Sequence, residues 1–321
     1  MLLAGAAVVT GFALLLWGAD RFVFGASATA DRLGVSPLII GLTIVGFGTS
    51  APEMIVSAVA AWQGNSGIAV GNAIGSNIAN IALVLGTTAV VCPLVVRSET
   101  LRREYPLMFL VMLLALVLLL DGQLSRIDGV VLLAGLALMG YWVVRIGKRK
   151  SREDPLTEEF DHEIPHTSMT RALLWLAAGL VLLLASSRLL VWGAVNLAQA
   201  IGVSDLIIGL SVVAIGTSLP ELAASLVSAL RKEPDIAIGN VIGSNIFNLL
   251  AVLGLPGVIA PLSLAPEVLQ RDYPVMIALT VALFVMAFGF RGDGRITRIE
   301  GVLLLLAYAG YATALYLATA V

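Results

Sequence analysis

Charge is scarce in this sequence. Asp, Glu, Lys and Arg make up 12% of the 321 residues while 59% are hydrophobic, against about 25% charged in a soluble domain. So little charge cannot clothe a water-facing surface, which excludes an ordinary soluble enzyme or binding domain. Cysteine is nearly missing too. Cys92 stands alone in an apolar run, so no internal disulfide can form and the side chain reads as packing. The two histidines, His162 and His166, share one polar segment. Without a Cys or His set in the apolar runs, zinc and copper sites are excluded there. HExxH and other nucleophile–base or metal sets of an intramembrane enzyme are missing as well, so the chain reads as no enzyme. A formal net charge of -2 leaves no basic surface for nucleic acid.

What is present is apolar length. Runs long enough to span a bilayer, ~20 residues, occur ten times, near 3–23, 36–62, 68–92, 105–120, 129–145, 171–198, 204–230, 236–262, 273–290 and 300–320. They lack the alternation of barrel strands, so helices are expected. The opening MLLAGAAVVTGFALLLWGAD has no basic leader and no small-residue cleavage site, and reads as a first membrane helix. Trp17, Trp62, Trp142 and Trp192 fall near run ends, as interfacial aromatics do. With the N-terminus outside, sixteen Lys and Arg fall on the cytoplasmic side, and only Arg126, Arg188 and Arg271 fall outside. That bias predicts both termini outside a multi-pass protein of the cell membrane.

The chain also repeats itself. Residues 41–86 align with 209–254 without a gap, and 24 of the 46 positions are identical. Glu104-Tyr105-Pro106 matches Asp272-Tyr273-Pro274, and after a four-residue insertion DGQLSRIDG (121–129) matches DGRITRIEG (293–301). A five-helix unit is therefore present twice, as 1–145 and 171–321, joined by a cytoplasmic linker at 146–170. Five is odd, so the second copy starts from the opposite face. The expected fold is an all-α integral membrane protein of ten transmembrane helices in two inverted five-helix repeats, an architecture whose substrates sit near the midplane on interrupted helices. Acidic segment 153–166 of the linker, which holds both histidines, reads as solvated chain rather than as a cation site. Asp20 and Arg188 hold equivalent positions and are expected to pair across the pseudo-two-fold axis.

The interruptions carry the chemistry. GTSAPE (48–53) and GTSLPE (216–221) place Glu53 and Glu221 deep in apolar runs, with no Lys or Arg at matching depth. Intramembrane charge costs at least ~2.5 kcal/mol and marks function or pairing, so a cation is the natural partner. Pro52 and Pro220 offer no N–H to the carbonyls of Gly48 and Gly216. Thr49 and Glu53 are four apart on one helix face, as are Thr217 and Glu221, with Ser50 and Ser218 beside them. The next run of each copy carries GNAIGSNIAN (71–80) or GNVIGSNIFN (239–248), in which Asn72, Ser76 and Asn80, and Asn240, Ser244 and Asn248, form polar stripes. Their glycines suit close helix packing. Hard oxygen donors of this kind suit Ca²⁺ and Na⁺. Two carboxylates balance one divalent ion or two monovalent ones.

These paired motifs resemble the α-repeats of the sodium/calcium exchanger family of cation/Ca²⁺ antiporters, over the whole membrane chain and without the large regulatory domain of animal relatives. The resemblance implies that Glu53 and Glu221 are the principal Ca²⁺ ligands, shared with Na⁺. It adds Thr49, Ser50, Thr217 and Ser218 with the carbonyls of Gly46 and Ala214, and completes the set with Ser76, Ser244, Asn80 and Asn248. It also implies that the first and sixth helices move against the ligand-bearing core. Asn248 stands where potassium-dependent relatives carry Asp, which argues against K⁺ co-transport. The expected activity is Na⁺/Ca²⁺ antiport by alternating access. A proton-coupled exchanger on the same scaffold is the alternative and a cation channel a more distant one. Transported Ca²⁺ and Na⁺ are the only ions implied, with no organic cofactor. The lipid bilayer is the implied partner, and no residue pattern calls for an obligate protein partner.

Overall fold

The computed structural model describes residues 1–96, 98–150, 167–202, 214–288 and 294–319. Linker residues 151–166, with His162 and His166, lie outside the described residues, and so does the first part of the run expected at 204–230. The helices are α1 (Leu2–Leu33), α2 (Pro37–Trp62), α3 (Gly67–Val91), α4 (Ser98–Leu119), α5 (Arg126–Lys150), α6 (Met169–Ala200), α7 (Ala214–Thr217), α8 (Leu219–Leu230), α9 (Pro234–Ile259), α10 (Val268–Ala287) and α11 (Arg298–Thr319). Seven of them, α1, α2, α3, α6, α9, α10 and α11, are long and apolar enough to cross a membrane. Four short strands complete the described chain: β1 (Leu94–Val96), β2 (Gln123–Leu124), β3 (Leu262–Ser263) and β4 (Gly294–Ile296).

The strands tie the two copies of the repeat together. β1 pairs antiparallel with β4, placing Leu94 opposite Ile296, and β2 pairs antiparallel with β3, placing Leu124 opposite Leu262. In the sequence alignment β1 corresponds to β3 and β2 to β4. Each ribbon therefore joins one strand from each copy, and the two ribbons are each other's counterparts.

α1 differs from its expectation. It does not stop near residue 23 but continues through Asp20 and Arg21 to Leu33, where Gly34 closes it in the left-handed conformation (φ 63°) and donates its amide to the Ala30 and Asp31 carbonyls. At 1.5 Å per residue its 32 residues reach about 48 Å, well past a ~30 Å hydrocarbon core. Asp20 and Arg21 are accommodated because each has company. Arg231 donates Nε to Asp20 Oδ1 at 2.8 Å, and the Arg21 guanidinium lies 5.0 Å from the Trp175 ring centre. The expected Asp20–Arg188 pair is thus corrected: Arg231, at the end of α8, takes Asp20.

α6 packs antiparallel on α1 at van der Waals closeness. A Cβ added at Gly11 would lie 2.9 Å from the Leu190 amide nitrogen, and one at Gly18 2.9 Å from that of Leu183. Small residues at such crossings let backbones approach where lipid supplies no hydrophobic drive. α1 and α6 stand at the edge of the molecule, with about a third of each apolar window buried, whereas α9 is buried throughout. The main core, around Ile74, Ile78, Met108, Met112, Ile242 and Leu250, surrounds α3 and α9. The motif helices sit between this core and the α1–α6 pair.

Candidate functional site

Each acidic motif is held by an asparagine from the helix that follows it. Asn72 Nδ2 donates to the Glu53 carbonyl at 3.0 Å and to Ser57 Oγ at 2.9 Å. Asn240 Nδ2 does the same in the second copy, to the Glu221 carbonyl at 3.2 Å and to Ser225 Oγ at 2.9 Å. The brace fixes the backbone at the carboxylate and leaves the side chain to point elsewhere. Sequence reasoning put Asn72 and Asn240 on the polar stripes but gave them no task, and it passed over Ser57 and Ser225. The available signal was the identity of all four across the copies.

Across the copies, each motif meets the partner copy's second helix. Thr49 Oγ1 lies 3.1 Å from Asn240 Oδ1, to which it donates, and 3.3 Å from Ser244 Oγ. The same hydroxyl lies 3.1 Å from the Val45 carbonyl and 3.4 Å from that of Gly46. The approach depends on glycine: a Cβ on Gly239 would sit 2.7 Å from the Leu38 carbonyl oxygen, and one on Gly46 3.0 Å from the Ser244 nitrogen. On the opposite pairing, Ser76 of α3 shares a cavity of about 560 Å³ with Thr217 and Ser218. Arg271 and Asp272 also line it, and there Arg271 Nε donates to Asp272 Oδ1 at 2.7 Å and the Tyr311 hydroxyl donates to the same oxygen at 3.0 Å.

At the next level, Asn80 Nδ2 donates to Asn245 Oδ1 at 3.2 Å. Asn80 and Asn248 each open a π-helical turn, Asn80–Leu85 and Asn248–Val252. Such wide turns gather at functional positions, and here both copies place one at the same residue. Asn77 and Asn245, absent from the expected set, donate to Met276 Sδ at 3.4 Å and Met108 Sδ at 3.8 Å, which anchors them to the core.

Glu53 and Glu221 are each 2% exposed and lie close enough for their charges to repel. Among the described residues, no ion pair involves either of them. Glu53 Oε2, Glu221 Oε2, Ser50 Oγ, Asn77 Oδ1 and Asn248 Oδ1 are all buried without a hydrogen-bond partner. An unsatisfied buried polar group costs about 1–3 kcal/mol, more if charged. All five atoms are acceptors, Ser50 Oγ being a donor as well, and a cation satisfies such lone pairs as well as a proton does. Among the described residues, no three His, Cys, Asp or Glu side chains cluster for a metal. Any ion held here is therefore bound by carboxylates together with hydroxyl, amide and carbonyl oxygens, a hard oxygen set. Of the twelve expected residues, Thr49 and Ser244 touch, Ser76, Thr217 and Ser218 share the cavity, and Gly46 offers a carbonyl that already faces Thr49. The backbone of Ala214 opens α7. Thr49, Ser50, Glu53, Ser76, Asn80, Ser218, Glu221, Ser244 and Asn248 are all buried.

This is the architecture of a membrane transporter, with buried polar residues from two helix pairs meeting inside an apolar bundle. The profile of the sodium/calcium exchanger protein family matches residues 3–145 and 171–317. CaxA of Alkalimonas amylolytica is 53% identical over 316 residues, which cover 97% of this chain and 98% of CaxA. The sodium/calcium exchanger MaX1 of Methanosarcina acetivorans is 31% identical over 344 aligned positions, covering 96% of this chain and 97% of MaX1. A solved structure of the sodium-calcium exchanger NCX_Mj, soaked without Na⁺ and Ca²⁺, superposes with a TM-score of 0.84 at 33% identity, over 98% of this chain and 99% of that one. The chain belongs to the sodium/calcium exchanger family. It is a multi-pass membrane antiporter of the exchanger type, not an enzyme.

Proposed function

We propose that the chain exchanges Na⁺ for Ca²⁺ by alternating access at one central site to which both copies of the repeat contribute. The observation that carries this is the pair of buried carboxylates, one from each copy, with unpartnered oxygens and, among the described residues, no ion pair to Lys or Arg. Glu53 and Glu221 bind Ca²⁺ directly and share it with Thr49, Ser50, Thr217 and Ser218, the carbonyls of Gly46 and Ala214, and Ser76, Ser244, Asn80 and Asn248. Na⁺ occupies the same oxygens in turn, so one ion leaves before the other binds. Relatives named as sodium/calcium exchangers support this ion pair. We read the chain as ten spans in two inverted halves, 1–145 and 171–321, with 146–170 and the β1–β4 ribbon on the cytoplasmic side and both termini outside. The crossed strand pairing supports the inversion, since it puts equivalent strands at opposite ribbons. On this reading the cavity between Arg271 and Ser218 is the approach from outside.

The test is Ca²⁺ uptake into vesicles containing the purified chain, driven either by an outward Na⁺ gradient or by a pH gradient alone. Uptake should follow the Na⁺ gradient and vanish without it. Uptake driven equally by pH without Na⁺ would replace Na⁺ coupling with H⁺ coupling on the same scaffold.

A further inference from the structure

A second cavity, of about 690 Å³, lies between the Thr167 end of α6 and the middle of α1. Arg21, Phe24, Thr167, Arg171, Leu174 and Trp175 line it. We infer that it binds the headgroup and upper acyl chain of an anionic phospholipid, whose phosphate lies between Arg21 and Arg171. The inference does not depend on which ions the central site carries.

Among the described residues, the lining carries two cations and no carboxylate. Arg21 Nε is buried without a hydrogen-bond partner. Among the described residues, the acid paired with Arg21 is Asp20, 3.7 Å away and already engaged by Arg231. Arg171 lies in the first turn of α6 and is exposed. Arg32, nearby, spends its Nε on the Thr167 carbonyl at 2.7 Å. Two guanidiniums in one recess offer forked donors to phosphate oxygens.

The remaining walls fit a lipid better than a soluble anion. Phe24, Leu174 and Trp175 form an apolar flank, with Leu174 62% exposed on the outer face of the α1–α6 pair. Trp17 and Trp175 bracket the Arg21 guanidinium at 6.0 and 5.0 Å, an aromatic arrangement suited to the headgroup level. Basic pockets between membrane helices on the cytoplasmic side are suited to anionic headgroups, and the charge bias of the sequence assigns this end to that side. A phosphate bound there bridges one residue of α1 to one of α6 and so joins the pair that packs on the motif helices.

Native mass spectrometry of the full purified chain, incubated with phosphatidylglycerol or phosphatidylcholine, reads the site directly. Wild type should retain phosphatidylglycerol in preference, and Arg171→Gln and Arg21→Gln should each weaken that preference about fivefold. Arg171 is exposed at a helix end, so its variant keeps the test decisive if Arg21→Gln fails to fold. Inorganic phosphate at the same concentration should not displace the lipid. Equal retention of both lipids, an unchanged preference in Arg171→Gln, or displacement by phosphate alone would each overturn the assignment.

Discussion

The two copies of the acidic motif share Gly-Thr-Ser, proline and glutamate, yet their backbones differ. In the first, Pro52 lies inside a helix that runs without a break from Pro37 to Trp62, with a π-helical turn at Gly41–Val45 just upstream. In the second, the chain breaks at Ser218 (φ -90°, ψ 4°), and Pro220 starts a new helix in its first turn. Proline alone therefore does not decide the break. What differs is the surroundings. Ser187 of α6 donates its hydroxyl at 3.2 Å to the Gly216 carbonyl, the group left without an N–H by Pro220. The equivalent residue in the first copy is Ala19, which has no hydroxyl to give. The turns that follow differ as well. Gly64 takes positive φ (75°) and Asn65 caps α3 by accepting from the Ile68 amide, while in the second copy Lys232 takes φ 62° and Glu233 makes no cap bond. The duplicated residues preserve the carboxylate, its brace and its hydroxyls, and the two copies diverge where only local support is at stake.

That contrast sets the order of expected effects. Glu53→Gln and Glu221→Gln should each abolish exchange in vesicles while the protein still elutes as a folded species; wild-type transport by either would show that the copies are not both needed. Asn240→Ala should cost more transport than Asn72→Ala, because Asn240 also accepts from Thr49 across the copies. Equal losses in the vesicle assay would reduce both residues to local braces. Ser187→Ala should destabilise the protein by about 1–3 kcal/mol by orphaning a buried carbonyl, whereas Ala19→Gly in the first copy removes no such bond. A thermal midpoint unchanged by Ser187→Ala would mean that the break at Ser218 stands without it. Lys232→Gly should stabilise by about 1 kcal/mol, since a left-handed residue with a Cβ is strained, and Gly64→Lys should destabilise by a similar amount. Opposite signs in the two midpoints are the result to look for.

The smallest effect is a pH dependence confined to the second copy. Burial pushes the Glu233 carboxyl up from its ordinary 4.5 to about 7, against the opposing pull of the Ser27 hydroxyl and the Arg231 charge. Because the folded value is raised, the stability that Glu233 contributes is full below about 4.5 and is lost as pH rises through about 7. The wild-type midpoint should therefore fall relative to Glu233→Gln between pH 5 and pH 8. Parallel curves would remove Glu233 as the source.

Much of this was legible before any coordinates, because duplication marks chemistry twice. Glu53 and Glu221 stood out by depth, and the polar stripes by their four-residue step. The class of fold followed from apolar length and scarcity of charge. Other features had no such signal. The full length of α1 was hidden because Asp20 and Arg21 look like a helix end until Arg231 and Trp175 are placed beside them. The Asp20–Arg231 pair spans 211 residues, a separation no local pattern encodes. The brace by Asn72 and Asn240 is a side-chain bond to a backbone carbonyl, which depends on how α2 lies on α3 and α8 on α9. The break at Ser218 rests on Ser187 in another helix, so the near-identical motifs gave no hint of it.

The central claim is that Glu53 and Glu221 complete one site rather than two. Calorimetric titration of Ca²⁺ into the purified chain, compared with Glu53→Gln and Glu221→Gln, measures this directly. A shared site predicts that either substitution removes the high-affinity binding altogether. If each variant instead kept half of the wild-type sites at unchanged affinity, the two copies would bind independently and the account would be wrong.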